Sequence, residues 1–223
     1  MNATNTASPA KAVAGTTAKT IVGIGASAGG LQALEQFLSH TPTDTGLAWI
    51  IVQHLDPTQK AMLAELLQRA TSMKVQQVTQ GMPISANQVY VIPPNTELRL
   101  HNGALNLVKP KEPRGRRLPV NILFQSLADN LGTAAVGVIL SGMGSDGTLG
   151  AQAIKTAGGL IAVQQPASAQ FNSMPAAVIA TGCAGIVAQA AELPARILSA
   201  ILQLGATPLK ISQQQTPADA EQL

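Results

Sequence analysis

The chain has 223 residues, of which 46% are hydrophobic, 11% charged and 2% aromatic, and its net charge is +3. So few aromatic side chains and so small a positive charge argue against a nucleic-acid-binding protein, which usually combines a basic face with aromatic residues for stacking. The single cysteine, Cys183, excludes a disulfide framework within the chain and is typical of a buried apolar residue in a reducing compartment.

Both ends of the chain are polar and aperiodic. We predict a disordered N-terminal tail over residues 1–19, one folded domain over 20–205 and a flexible C-terminal tail over 206–223. The N-terminal tail lacks the apolar core of a signal peptide, and the longest apolar runs are far shorter than the roughly 18 residues that cross a bilayer. These features predict a cytoplasmic protein with no membrane insertion.

Short apolar runs alternate with helical patterns along the folded region. In chain order, the patterns predict a strand over 20–26, a helix over 29–40, a strand over 47–55, a helix over 57–71, a strand over 87–94, a hairpin over 96–110, a helix over 119–132, a strand over 134–142, a helix over 148–159, a strand over 160–166, and helices over 174–182 and 193–204. This alternation predicts a doubly wound α/β domain. Its sheet is mostly parallel, with helices on both faces and the hairpin as an antiparallel appendage.

The Gly-rich turn after the first strand has two functional interpretations. In the first, Gly23, Gly25 and Ala28 form the G-x-G-x-x-A pattern that lets a dinucleotide pyrophosphate approach a helix N-terminus. That fingerprint needs an acidic residue at the end of the second strand to hold a ribose hydroxyl. Asp44 precedes that strand and Asp56 follows it by several residues, so the acid is misplaced.

In the second interpretation, residues 25–29 form G-x-S-x-G, a sharp strand-to-helix turn that projects Ser27 above the sheet edge. Ser27 would then be a nucleophile beside a helix N-terminus, whose backbone N–H groups stabilise a developing oxyanion. The same pattern is also found in ordinary tight turns, where Ser27 would serve as a helix N-cap.

A base and an acid at neighbouring strand ends favour the nucleophile. His54 ends the second strand at the edge where Ser27 emerges, whereas His40 and His101 are predicted to be solvated surface residues. Asp146 lies in a glycine-rich loop after another strand, where it can orient the imidazole. The structural alternative for Asp146 is an ordinary loop residue or the N-cap of the next helix. The order Ser, His, Asp differs from that of α/β-hydrolases.

Several motifs taken together resemble one family. The segments are GIGASAGG, VQHLDP, VIPPN, GRRLPVNILFQSLA, GVILSGMGSDGTLG and FNSMPAAVIATG. Over roughly residues 20–203 they resemble the catalytic domain of the chemotaxis receptor methylesterase (CheB) family, and especially the methylesterase module of methylesterase/methyltransferase hybrids. The resemblance implies hydrolysis of γ-glutamyl methyl esters on the cytoplasmic helices of methyl-accepting chemoreceptors, in chemotaxis adaptation. The alternatives are a protein-glutamine deamidase with the same triad and a non-catalytic docking module.

The resemblance also implies residue roles. Ser27 would be the nucleophile, His54 the base, Asp146 the orienting acid, and the Met143 N–H an oxyanion donor. We infer the Ala28 N–H as a second oxyanion donor from the geometry of such turns. The resemblance implies neither a metal nor a cofactor.

The chain also departs at several points from the family that it resembles. We predict substrate contacts at Asn121, where many relatives have Asp, and at Arg117 in the basic run 109–117. That run either attracts acidic receptor helices or is a solvated loop. Ala28 replaces a common Thr, so we expect an altered rate of hydrolysis.

The residues before the first strand are too few for the N-terminal receiver domain of better-known members. We therefore expect a receiver or methyltransferase module to act in trans or within a longer chain.

Overall fold

The computed structural model describes residues 18–53, 62–113 and 115–205. Within these ranges the strands are β1 Ile21–Ala26, β2 Ala48–Gln53, β3 Lys74–Gln77, β4 Met82–Pro83, β5 Gln88–Val91, β6 Glu97–His101, β7 Ala104–Val108, β8 Ala135–Ile139, β9 Leu160–Gln164 and β10 Ile186–Ala188. The helices are α1 Gly30–Ser39, α2 Leu63–Gln68, α3 Pro119–Leu131, α4 Thr148–Thr156, α5 Ser173–Ala180 and α6 Leu193–Gln203. The predicted C-terminal tail, and all but the last two residues of the N-terminal one, lie outside the described residues.

The predicted fold class is confirmed. In the described part of the chain, seven strands form a parallel sheet in the order β10-β9-β8-β1-β2-β5-β3. The predicted hairpin, β6 and β7, joins β4 in a small antiparallel sheet. From β1 the chain winds outward through β2, and from β8 it winds outward in the opposite direction. The reversal of strand order between β1 and β8 makes this the place where doubly wound sheets form a ligand crevice.

The central strands are buried on both faces because an apolar layer covers each face of the sheet. All residues of β1 and β2 are buried, as expected for continuous apolar runs in a parallel sheet. Helices α3, α4 and α5 and the small sheet pack on one face, and α1, α2 and α6 on the other. No helix in the described ranges has the length and apolarity needed to span a membrane.

The glycines of β1 are explained by helix packing. A methyl group at Gly23 would lie 2.7 Å from the Leu127 side chain of α3, and one at Gly25 would collide with Val120 of the same helix. These two glycines therefore allow α3 to approach the sheet. Their presence needs no bound dinucleotide.

Sequence analysis missed β3, β4 and β10. Strand β3 lies at one edge of the parallel sheet, with its residues exposed or half-buried and its sequence, KVQQ, largely polar. Strand β10 is the other edge and has three residues, whereas β4 has two. Edge strands need not be apolar on both faces, so they leave no buried run to detect.

Candidate active site

The turn between β1 and α1 depends on one glycine. Gly29 has φ of 68°, and a methyl group there would lie 2.6 Å from Gln170 Oε1 and 2.8 Å from Ser141 Oγ. Both the left-handed backbone and the lack of space favour glycine. Gly29 is also the N-cap of α1, and no side chain in the described part of the chain caps this helix. The alternative role of Ser27 as an N-cap is therefore wrong, because the N-cap lies two residues further on, at Gly29.

Ser27 lies partly exposed at the carboxyl end of β1. Its N–H donates to the Ser141 carbonyl at 3.0 Å, and its own carbonyl accepts the Gly30 N–H at 2.8 Å. A methyl group at Gly142 would lie 3.0 Å from Ser27 Cβ and would collide with the Met174 sulfur. Met174 belongs to the apolar layer of α3, α4 and α5. The Ser27 side chain is therefore attached on that face, against the loop that follows β8.

Asp146 lies in the same loop and is only 4% exposed. Its carboxylate accepts the backbone N–H groups of Val120 at 2.9 Å and Asn121 at 3.0 Å, which are in the first turn of α3. It also accepts the Gly147 N–H at 2.8 Å and makes a further interaction besides these three. Gly147, and not Asp146, is the N-cap of α4. Asp146 thus caps the helix that precedes it in the chain instead of the one that follows.

Asn121 completes a reciprocal arrangement between the two helices. Its Oδ1 accepts the Gly150 N–H at 2.8 Å, in the first turn of α4. Helix α3 therefore receives its capping oxygens from Asp146, in the loop before α4, and α4 receives one from Asn121 of α3. These bonds satisfy N–H groups that the first turn of a helix leaves unpaired. The predicted substrate contact of Asn121 stays a prediction, and the structure adds a structural contact for its amide oxygen.

One predicted oxyanion donor, Ala28, follows Ser27 in the β1–α1 turn, and the other, Met143, lies in the loop after β8. Met143 has a 61% exposed side chain and stands between Gly142, whose N–H donates to Phe171, and Gly144, whose N–H donates to Ser173 Oγ. Neither the Met143 N–H nor the Ala28 N–H donates to any acceptor within the described ranges. Both groups thus have hydrogen-bonding capacity left for a substrate oxygen.

The remaining predicted residues fall into two groups. His54 lies outside the described residues, directly after Gln53 at the end of β2. Arg117 is partly buried and its Nε donates to the Glu112 carbonyl at 2.8 Å, within its own loop. Its substrate contact stays a prediction. His40 and His101 are both exposed, as predicted.

Sequence analysis missed a buried polar pair that holds the turn. Ser141 is 1% exposed, and its Oγ donates to the Ala28 carbonyl at 2.9 Å and accepts the Phe171 N–H at 3.0 Å. Its N–H donates to Oε1 of Gln164, which is also 1% exposed, at 2.8 Å. The available signal was a polar residue directly at the end of each apolar strand.

Comparison with known proteins agrees with this architecture. A family model described as CheB methylesterase matches residues 22–197. The chain belongs to the CheB methylesterase family. The CheB methylesterase catalytic domain of Thermotoga maritima superposes with a TM-score of 0.75 at 27% sequence identity, over 81% of this chain and 98% of that one.

Full-length relatives are longer than this chain. A protein-glutamate methylesterase/protein-glutamine glutaminase 2 of Xanthomonas oryzae is 36% identical over 86% of this chain and 54% of its own length. A protein-glutamate methylesterase/protein-glutamine glutaminase of Bordetella bronchiseptica is 35% identical over 80% and 52% respectively. An uncharacterised 104.1 kDa protein of Rhodobacter capsulatus is 44% identical over 54% of this chain and 12% of its own length. The chain therefore spans about half or less of these relatives.

Proposed function

We propose that this CheB-family chain is a serine esterase that hydrolyses γ-glutamyl methyl esters on chemoreceptor cytoplasmic helices during adaptation. The supporting observation is the position of Ser27 on a sharp strand-to-helix turn, beside the β8 loop that carries the buried carboxylate of Asp146. The names of the Xanthomonas and Bordetella relatives support the same substrate class.

The strand register supports His54 as the base. Gln53 pairs with Ala26 across the parallel β1–β2 ladder, and these two residues directly precede His54 and Ser27 in the chain. Neighbouring strands lie about 4.8 Å apart, so Ala26 and Gln53 end their strands side by side. A general base must come within hydrogen-bond reach of the nucleophile, and adjacent strand ends are the place from which we propose that His54 supplies one.

The proposed chemistry is a two-step acyl transfer. Ser27 Oγ attacks the ester carbonyl carbon while His54 accepts its proton, and Asp146 stabilises the imidazolium. The tetrahedral oxyanion accepts the Met143 and Ala28 N–H groups, each worth about 3 kcal/mol. The C–O bond to the methoxy group then breaks, and methanol leaves with the proton from His54. Water, activated by His54, hydrolyses the acyl-enzyme to release the glutamate side chain and restore Ser27.

The three N–H groups that bind Asp146 give this carboxylate a fixed orientation. Because Val120 and Asn121 belong to a helix that packs on the sheet through Gly25, the acid is held against the same sheet that carries Ser27. A fixed acid aligns the base before substrate arrives, which lowers the reorganisation needed in the transition state.

Deamidation of glutamine is a second candidate function, since both the Xanthomonas and the Bordetella relatives carry glutaminase in their names. The same attack on a carboxamide carbon would release ammonia in place of methanol. Regulation by a receiver or methyltransferase module, in trans or in a longer chain, remains part of this proposal.

The deciding experiment measures methanol and ammonia release from a methylated chemoreceptor cytoplasmic fragment. We expect methanol from the parent chain, none from Ser27→Ala, and parent-like release from Ser39→Ala, an exposed serine at the far end of α1. Circular dichroism checks that each variant is folded. Ammonia without methanol would favour the deamidase. Receptor binding without either product would identify a docking module and overturn the proposal.

A further inference from the structure

A polar pocket opens beside the Ser27 turn, and nothing in the proposed chemistry uses it. Its volume is about 270 Å³. The wall consists of the first two turns of α1, the ends of β8 and β9 and the loop after β9, with Gly29, Gln32, Gln36, Ser141, Gln164 and Gln170 as its main residues. We call it the glutamine pocket. It lies at the crevice between β1 and β8, where doubly wound sheets bind ligands.

The glutamine pocket and Asp146 lie toward opposite faces of the sheet. A methyl group at Gly30, in the first turn of α1, would lie 2.8 Å from Ala26 Cβ, so Ala26 points toward the α1 face that carries the pocket. Gly25 faces α3, and Ser27 Cβ lies beside Gly142 and Met174 on that same face. The pocket adjoins the Ser27 turn through Gly29 and Ser141 and is separate from the Asp146 side of the site.

The inner wall of the pocket is preformed. Gln164 is buried, its Oε1 accepts the Ser141 N–H at 2.8 Å, and its Nε2 donates to the Ser168 carbonyl at 3.1 Å. These bonds tie the loop after β9 to the end of β8. A ligand therefore meets a wall that needs no ordering on binding, which removes part of the entropic cost.

The chemistry of the wall is neutral and amide-rich. None of the described residues that line it is charged. The side-chain amides of Gln32, Gln36 and Gln170 have no hydrogen-bond partner among the described residues. Each offers an NH₂ donor and a carbonyl acceptor, the set that complements another carboxamide. A charged ligand would find no counter-charge among the described lining residues, and an apolar side chain would offer these exposed amides no hydrogen bond to replace those they make with water.

We propose that the glutamine pocket binds a carboxamide side chain of the protein substrate, adjacent to the residue that Ser27 attacks. The identity of the ligand as part of a substrate rests on the proposed function, whereas the binding of a carboxamide does not. The volume suits one side chain, since pockets for larger ligands start at roughly 300 Å³. The site would thus select methyl esters that have a glutamine or asparagine nearby in the folded receptor.

The first test measures binding without catalysis. Titration of ¹⁵N-labelled Ser27→Ala chain with N-acetylglutamine amide should shift the backbone amide signals of Gly29, Ala33 and Ala169 saturably. N-acetylnorleucine amide, which lacks the side-chain carboxamide, should bind about five-fold more weakly, the effect of losing one hydrogen bond. Equal binding of the two compounds, or no saturable shift at these residues, would overturn the proposal.

The second test substitutes one residue that lines the glutamine pocket. Gln170→Glu in the same background replaces a donor by a charged acceptor and should weaken N-acetylglutamine amide binding about five-fold or more. The matched control is Gln77→Glu, at the exposed end of β3 and outside the pocket. We expect the control to bind like its parent. Unchanged binding in Gln170→Glu would contradict the assignment of the pocket.

The third test uses turnover by the Ser27-containing chain. Two peptides carry the same γ-methyl glutamyl ester, with glutamine or norleucine as its neighbour. We expect the glutamine peptide to have about five-fold higher kcat/KM, with the ratio lost in Gln170→Glu and kept in Gln77→Glu. A ratio of one in the parent would overturn the substrate role. If neither peptide is hydrolysed, methanol release from the receptor fragment decides the proposed function, and the binding titration alone decides the pocket.

Discussion

The two sides of the candidate site are built differently. On the α3–α4 side, Asp146 and Asn121 are bound by backbone N–H groups at 2.8–3.0 Å, and each satisfies a helix end. On the α1 side, the helix has no side-chain cap, and exposed glutamine amides surround an open pocket. The polar groups on the α3–α4 side are thus committed to the fold, and in the proposed mechanism they fix the position of the acid. Uncommitted polar groups remain available for a ligand.

The largest expected effect comes from substituting Asp146, on the α3–α4 side of the site. In Asp146→Asn the new NH₂ group cannot accept the N–H bonds of Val120 or Asn121 and gives the base no negative charge. We expect kcat for methyl ester hydrolysis to fall about 10⁴-fold, as in other triads. Steady-state methanol release measures this effect. A fall of less than ten-fold would contradict the assigned role of Asp146.

A smaller effect is expected at Ser141, which joins the two sides. Ser141→Ala removes the donor to the Ala28 carbonyl and the acceptor of the Phe171 N–H, both partly buried. Leaving such groups unpaired costs about 1–3 kcal/mol of the free energy of unfolding. Urea denaturation measures this loss, with Ser39→Ala as the exposed control. An unchanged urea midpoint would mean that Ser141 does not hold the turn.

The smallest effect is expected at Asn121. Asn121→Ala leaves the Gly150 N–H without its cap and should reduce the free energy of unfolding by about 1 kcal/mol. Asn121→Asp keeps an acceptor oxygen and should restore most of that loss. The control is Asn172→Ala, an N-cap position of α5 whose side chain makes no capping bond. Equal losses at Asn121 and Asn172 would contradict the reciprocal arrangement.

The central elements were predictable because their burial leaves a clear pattern. Strands β1 and β2 are continuous apolar runs, and the hairpin turn at Asn102 and Gly103 is confirmed by their positive φ of 49° and 73°. Edge strands β3 and β10 were not predictable, since their environment differs little from that of a loop. Among the site residues, Ser27 and Asp146 follow predicted strands, and their joint role with His54 stays a prediction.

The sequence by itself determined the fold class and the motifs of the family, because local apolar periodicity and glycine spacing are properties of neighbouring residues. Only the tertiary structure decided which helix Asp146 caps, why a side chain at Gly25 would collide with α3, and which N–H group the Asn121 amide oxygen accepts. Each of these depends on two segments far apart in the chain that packing brings together. The glutamine pocket has the same origin, since α1 and the loop after β9 meet only across the folded sheet edge.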